Sequence, residues 1–63
     1  MARVRTTKPA RESSDWTIEA LRERKWDVTG VIIEHSNSHG LIYKVRHDDG
    51  STAWYEPREL HFV

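Results

Sequence analysis

The strongest constraint on this chain is the tripeptide Asp48-Asp49-Gly50, set between two stretches rich in β-branched and aromatic residues. Aspartate bonds its own local backbone and glycine accepts a positive φ, so the pair favours a tight reversal. The flanking stretches, Leu41 to His47 and Ser51 to Glu56, then read as the two arms of a hairpin. Upstream, Val31 and Ile33 alternate with Ile32 and Glu34 in an earlier strand, and Gly30 marks a bulge or a sharp bend. Ser36 to Gly40 is a loop by composition. Pro57 ends the strand before it, because proline cannot donate to a ladder. Pro57 to Leu60 reads as one helical turn, and His61-Phe62-Val63 as a short last strand.

Such strands must share a small core. The chain has 63 residues, 37% of them apolar, which is enough for a single domain. No cysteine is present, which excludes a disulfide framework, a thiolate zinc site and a cysteine nucleophile. The longest apolar run is Val31-Ile32-Ile33, and residues 1–14 hold no apolar stretch of a secretory signal. The expectation is a cytoplasmic monomer with no membrane partner and no cofactor. The residues expected inside are Val31, Ile33, Tyr43, Val45, Leu60 and Phe62.

Lys+Arg and Asp+Glu are both 10, so net charge is silent about partners, but its distribution is uneven. Residues 1–14 carry Arg3, Arg5, Lys8 and Arg11 against Glu12 alone, with Val4 as the one sizeable aliphatic side chain. Composition of that kind cannot offset the entropy of ordering, so 1–14 reads as a disordered basic tail. Residues 15–25 read as a short helix, started by Ser14 or Asp15 and ending in cations that suit its dipole. Ile18 and Leu21 share a face of it, and Trp16 lies off that stripe as a staple.

The hairpin register decides which aromatic faces outward, because Trp54 and Tyr55 are adjacent in a strand. A three-residue loop sets Tyr43 opposite Tyr55, Lys44 opposite Trp54 and Val45 opposite Ala53. A two-residue turn slips the pairing by one and exchanges the faces. The first register is favoured, because it places the bulkier Trp54 where the helix or a partner covers it. Lys44 meets an aromatic ring in either register, with Arg46 two residues on. A cation beside an exposed ring is how small barrels hold single-stranded nucleic acid. Alternatively, the helix lays Ile18 and Leu21 over that ring.

The stretches Gly30-Val31-Ile32-Ile33, Gly40 to Val45, Asp48-Asp49-Gly50, Trp54-Tyr55 and Glu59-Leu60, in that order, resemble an SH3-like barrel of the Tudor or KOW sort over residues 26–63. The resemblance implies a mainly β fold: a small barrel preceded by the short helix 15–25 and the tail 1–14. Tudor domains hold methylated cations in an aromatic cage built partly just before the turn glycine. The matching positions here are Arg46, His47, Asp48 and Asp49, none of them aromatic, so no such cage is recognisable.

The resulting expectation is a non-enzymatic binding module. Nucleic acid is the favoured partner, held by Lys44, Arg46 and Trp54 with Arg3, Arg5, Lys8 and Arg11 of the tail. A protein-interaction adaptor using Trp54, Ile42 and the His39 loop is the alternative. Four histidines, His35, His39, His47 and His61, read as solvent-facing turn and strand-end residues rather than metal ligands. His47, Ser51 and Asp48 form a triad only on paper, since a hairpin tip offers neither a buried orienting acid nor an oxyanion hole.

Overall fold

The computed structural model describes residues 2–11, 15–38 and 40–63. Its elements are strand β1 (Arg3–Thr6), helix α1 (Ile18–Glu23), strands β2 (Thr29–Ser36), β3 (Ile42–His47) and β4 (Thr52–Tyr55), a 3₁₀ turn (Pro57–Glu59) and strand β5 (Leu60–Phe62). The protein is mainly β, with all strands antiparallel in one open sheet of order β4-β3-β2-β1-β5.

The hairpin forms as its turn chemistry requires. Gly50 takes φ 92°, His47 N–H donates to Ser51 O at 2.7 Å, and Gly50 N–H donates to His47 O at 2.9 Å. The three-residue loop sets Tyr43 against Tyr55, Lys44 against Trp54 and Val45 against Ala53, which is the favoured register. Pro57 starts the 3₁₀ turn, and Glu56 and Glu59 cap it reciprocally.

Residues 3–6 are not a disordered tail. They form an interior strand, paired with β2 on one side and β5 on the other. Arg3 and Arg5 point outward, whereas Val4 and Thr6 are both fully buried. Composition underrates this segment because a strand's ladder is made by backbone groups, whatever the side chains. Thr6 N–H donates to Val28 O at 2.9 Å, and Thr7 N–H to Glu59 O at 2.8 Å. Hydrogen exchange should therefore find the Thr6 and Thr7 amides among the slow ones; exchange at the free-peptide rate would return the segment to a tail. The remaining tail positions Met1, Glu12, Ser13 and Ser14 lie outside the described residues, and so does the Ser14 cap.

The helical reading of 15–25 also changes. α1 covers six residues, and its N-cap is Thr17, whose hydroxyl accepts from Ala20 N–H at 3.1 Å. Arg24 leaves the helical region with φ −74° and ψ 135°. None of the six helical residues is buried, and Ile18 is 65% exposed.

Val4, Val45, Ala53, Tyr55 and Leu60 form the core, with Trp26, Ile32 and Tyr43 packed against it. Val31 is only half-buried, and Ile33 and Phe62 are exposed, against expectation. The reason lies in β2: Gly30 and Ile32 occupy its inner face, opposite His47 and Val45, and a bulge falls between Ile32 and Glu34. The bulge sits beyond Gly30 rather than at it. One residue of parity turns the whole strand over. Phe62 pairs with Val4 on the edge strand β5, where the residue is 74% exposed.

Candidate nucleic-acid interface

The outer face of the sheet is set by strand alternation. Arg3 lies opposite Val31, Val31 opposite Arg46, and Arg46 opposite Thr52, so one row crosses four strands. Side chains paired in this way share a face. Arg3 and Arg46 are two strand spacings apart, about 10 Å between backbones. The next row holds Glu34, Lys44 and Trp54. Lys44 Nζ lies 5.9 Å from the centroid of the half-buried Trp54 ring, within reach of a cation–π attraction. Ile42, opposite Ser36, is half-buried one row further along the same face. Arg5 extends the face at the other end, opposite Thr29 and His61.

The structure thus gathers Arg3, Arg5, Ile42, Lys44, Arg46 and Trp54 on one surface, two of these arginines coming from the segment expected to be a disordered tail. Lys8 and Arg11 are exposed beyond β1 and belong to no strand. Arg11 contributes its carbonyl, which accepts from the Arg58 guanidinium at 2.9 Å. His39 lies outside the described residues.

Two of these cations are balanced. Arg3 pairs with Asp48 and Arg5 with Asp27, each at 3.3 Å and largely in solvent. The Thr29 hydroxyl, and then Arg3, hold the Asp48 carboxyl below its usual range. Exposed pairs of this kind contribute little and exchange readily for another anion. Lys44 and Arg46 form no ion pair among the described residues.

Trp16, Trp26 and Tyr55 are committed elsewhere. The Arg24 guanidinium carbon lies 4.4 Å from the Trp16 centroid, 4.6 Å from Trp26 and 5.2 Å from Tyr55. Arg24 also pairs with Glu59, and these two side chains are 1% and 0% exposed. The rings that converge therefore close on the chain's own arginine. No spacing in the sequence announces the Arg24–Glu59 pair, whose members are 35 residues apart.

His47 is not a solvent-facing strand end: it is 3% exposed. Its Nδ1 lies 2.9 Å from Ser51 Oγ, and that hydroxyl lies 2.6 Å from Asp49 Oδ1. The acid is Asp49 rather than Asp48, and the serine stands between imidazole and carboxylate. A nucleophilic triad places the imidazole in the middle, so this arrangement does not activate Ser51. Among the described residues no three His, Asp or Glu side chains gather to hold a metal, and no helix is long and apolar enough to cross a membrane.

Comparison of the chain with family models, curated proteins and solved structures returns no match.

Proposed function

We propose that this protein is an SH3-like small barrel that binds single-stranded nucleic acid, without catalysis, on the outer face of its sheet. Five short antiparallel strands, the Asp-Asp-Gly hairpin and the 3₁₀ turn before β5 support the barrel reading. The observation that carries the ligand reading is the pairing of Lys44 with the Trp54 ring, beside the row that holds Arg46 and Arg3. The half-buried ring keeps part of its surface in solvent for a base to stack on, and cations around it neutralise phosphates, which gives weak, sequence-tolerant and salt-sensitive binding.

Titration with a short single-stranded oligonucleotide should shift the amides around Lys44, Arg46 and Trp54 in low salt. Trp54→Ala should cost about 1–3 kcal/mol of single-strand affinity and leave duplex binding less affected. Arg46→Ser should reduce the slope of log K against log salt by about 0.7, the contribution of one phosphate contact on a single strand. Point variants are needed here because truncating the N-terminus would remove β1. Absence of shifts at Lys44 and Arg46 in low salt would overturn the reading, and would put a protein-interaction surface at Trp54 and Ile42 in its place.

A further inference from the structure

On the inner side of the sheet, Tyr55 Oη meets three groups. Lys25 N–H donates to it at 2.8 Å, Lys25 O lies at 2.9 Å, and His47 Nε2 lies at 2.7 Å. The phenol thereby ties the connection 24–28 to the hairpin. Across the imidazole, His47 Nδ1 faces Ser51 Oγ, which faces Asp49.

The protons along this chain can be counted. Asp49 is ionised: the Lys25 ammonium bonds it, Ser51 N–H donates to it at 2.9 Å, and its carboxyl is held far below the usual range. A carboxylate only accepts, so the single Ser51 hydroxyl proton points at Asp49. The Ser51 oxygen is then the acceptor for Nδ1, which must carry a hydrogen. In a neutral imidazole Nε2 is consequently an acceptor. Tyr55 has one hydroxyl proton and two acceptors for it, Nε2 and Lys25 O. A proton on Nε2 removes the conflict. Nε2–H then donates to Tyr55 Oη, and the tyrosine gives its own proton to Lys25 O.

We propose that His47 is a proton-operated latch: neutral, it draws the Tyr55 hydroxyl proton away from the Lys25 carbonyl, and protonated, it returns that proton and tightens the tie between the hairpin and residues 24–28. The device is separate from the Lys44–Trp54 face and does not depend on ligand binding.

The charges around the imidazole set where the latch operates. Burial disfavours the imidazolium first, and Lys25 adds to that, whereas Asp49, a bond with Ser51 and Asp48 favour it; the His47 pKa ends below its ordinary 6.5. Arg5 of β1 and Asp27 line the same cleft of about 330 Å³ and pair with each other. Arg24, whose guanidinium carbon lies 5.2 Å from the Tyr55 ring centroid, and the Glu59 carboxylate also pair. A histidine whose folded pKa is depressed contributes stability that is fully present above about pH 6.5 and is lost as pH falls through the folded value. Acid thus tightens the Lys25 contact while lowering global stability, and the two effects are read separately.

The test is a pH titration followed by NMR on the labelled protein. Near pH 7.5 the His47 ring nitrogens should report the Nδ1–H tautomer. The Lys25 carbonyl shift should then titrate with the His47 midpoint, below 6.5. In Tyr55→Phe the histidine still titrates and Lys25 no longer follows it. Ser51→Ala, at the hairpin, serves if Tyr55→Phe does not fold: it frees Nδ1, moves the tautomer to Nε2–H and uncouples Lys25. A neutral Nε2–H tautomer in the parent protein, or a Lys25 carbonyl that does not move with His47, would overturn the proposal.

Discussion

Arg24→Met should leave most of the protein unfolded at 25 °C, with a loss of about 3–5 kcal/mol, the scale for removing one partner of a buried ion pair. The Glu59 carboxylate is 0% exposed, and its Oε1 accepts from Arg24 and from Glu56 N–H at 2.8 Å. Without the guanidinium, a charge remains buried with one amide to face it. The variant also loses the cation seated among Trp16, Trp26 and Tyr55. A single core in a chain this short supplies only about 3–5 kcal/mol of net stability, so the loss is comparable to the whole. Removing the second charge as well, in Arg24→Met with Glu59→Gln, should recover a large part of it. Urea denaturation followed by circular dichroism reads both effects. A single variant within about 0.5 kcal/mol of the parent, the ordinary range for a surface substitution, would mean that the pair is not a structural centre.

Gly30→Ala carries the second large effect. Glycine to alanine in a strand ordinarily gains roughly 0.5–1 kcal/mol. Here the sign reverses, because β3 crosses against the bare α-carbon. An added Cβ would collide with the Arg46 carbonyl and sit 2.8 Å from Val45 Cγ1 and 2.9 Å from His47 Cα. Two of those obstacles are backbone, so the β2–β3 ladder itself must open. The expected cost is about 3 kcal/mol, the upper end for overpacking. Gly50→Ala is the useful contrast. Nothing lies within 4 Å of its Cβ position, and its φ of 92° is the whole difficulty. That variant should lose only about 1–2 kcal/mol, from left-handed strain. Thermal melts that rank the two the other way would show that turn strain outweighs the close approach of β3.

The hairpin and the 3₁₀ turn could be read directly from the amino acids, and of the two registers they leave open the structure takes the favoured one. Each depends on residues within about ten positions of one another: Asp and Gly at the reversal, alternation along two strands, Pro57 at the stop. An aromatic ring opposite Lys44 was legible in either register; that the ring is Trp54 follows from the three-residue turn, since one turn length fixes every pairing beyond it. The faces of β2 differ from its hydrophobic pattern by a single residue. Val31 and Ile33 look like an inner face by hydrophobicity, but Gly30 holds the inner position because β3 passes too close for any side chain there.

Local chemistry along the chain therefore settled where the hairpin turns, which stretches after Gly30 extend and that an aromatic ring stands opposite Lys44. The tertiary structure decided what those stretches meet. Arg3–Thr6 becomes a strand because β2 and β5 offer backbone partners on both sides, which no composition of its own records. Arg24, charged by type, is buried because Glu59 and the Tyr55 ring meet its guanidinium from more than thirty residues away, whereas His47 is buried against Ser51 and Tyr55 of its own hairpin once the strands pair. Burial of a polar group is a property of its partners, and partners separated by tens of residues exist only once the sheet has formed.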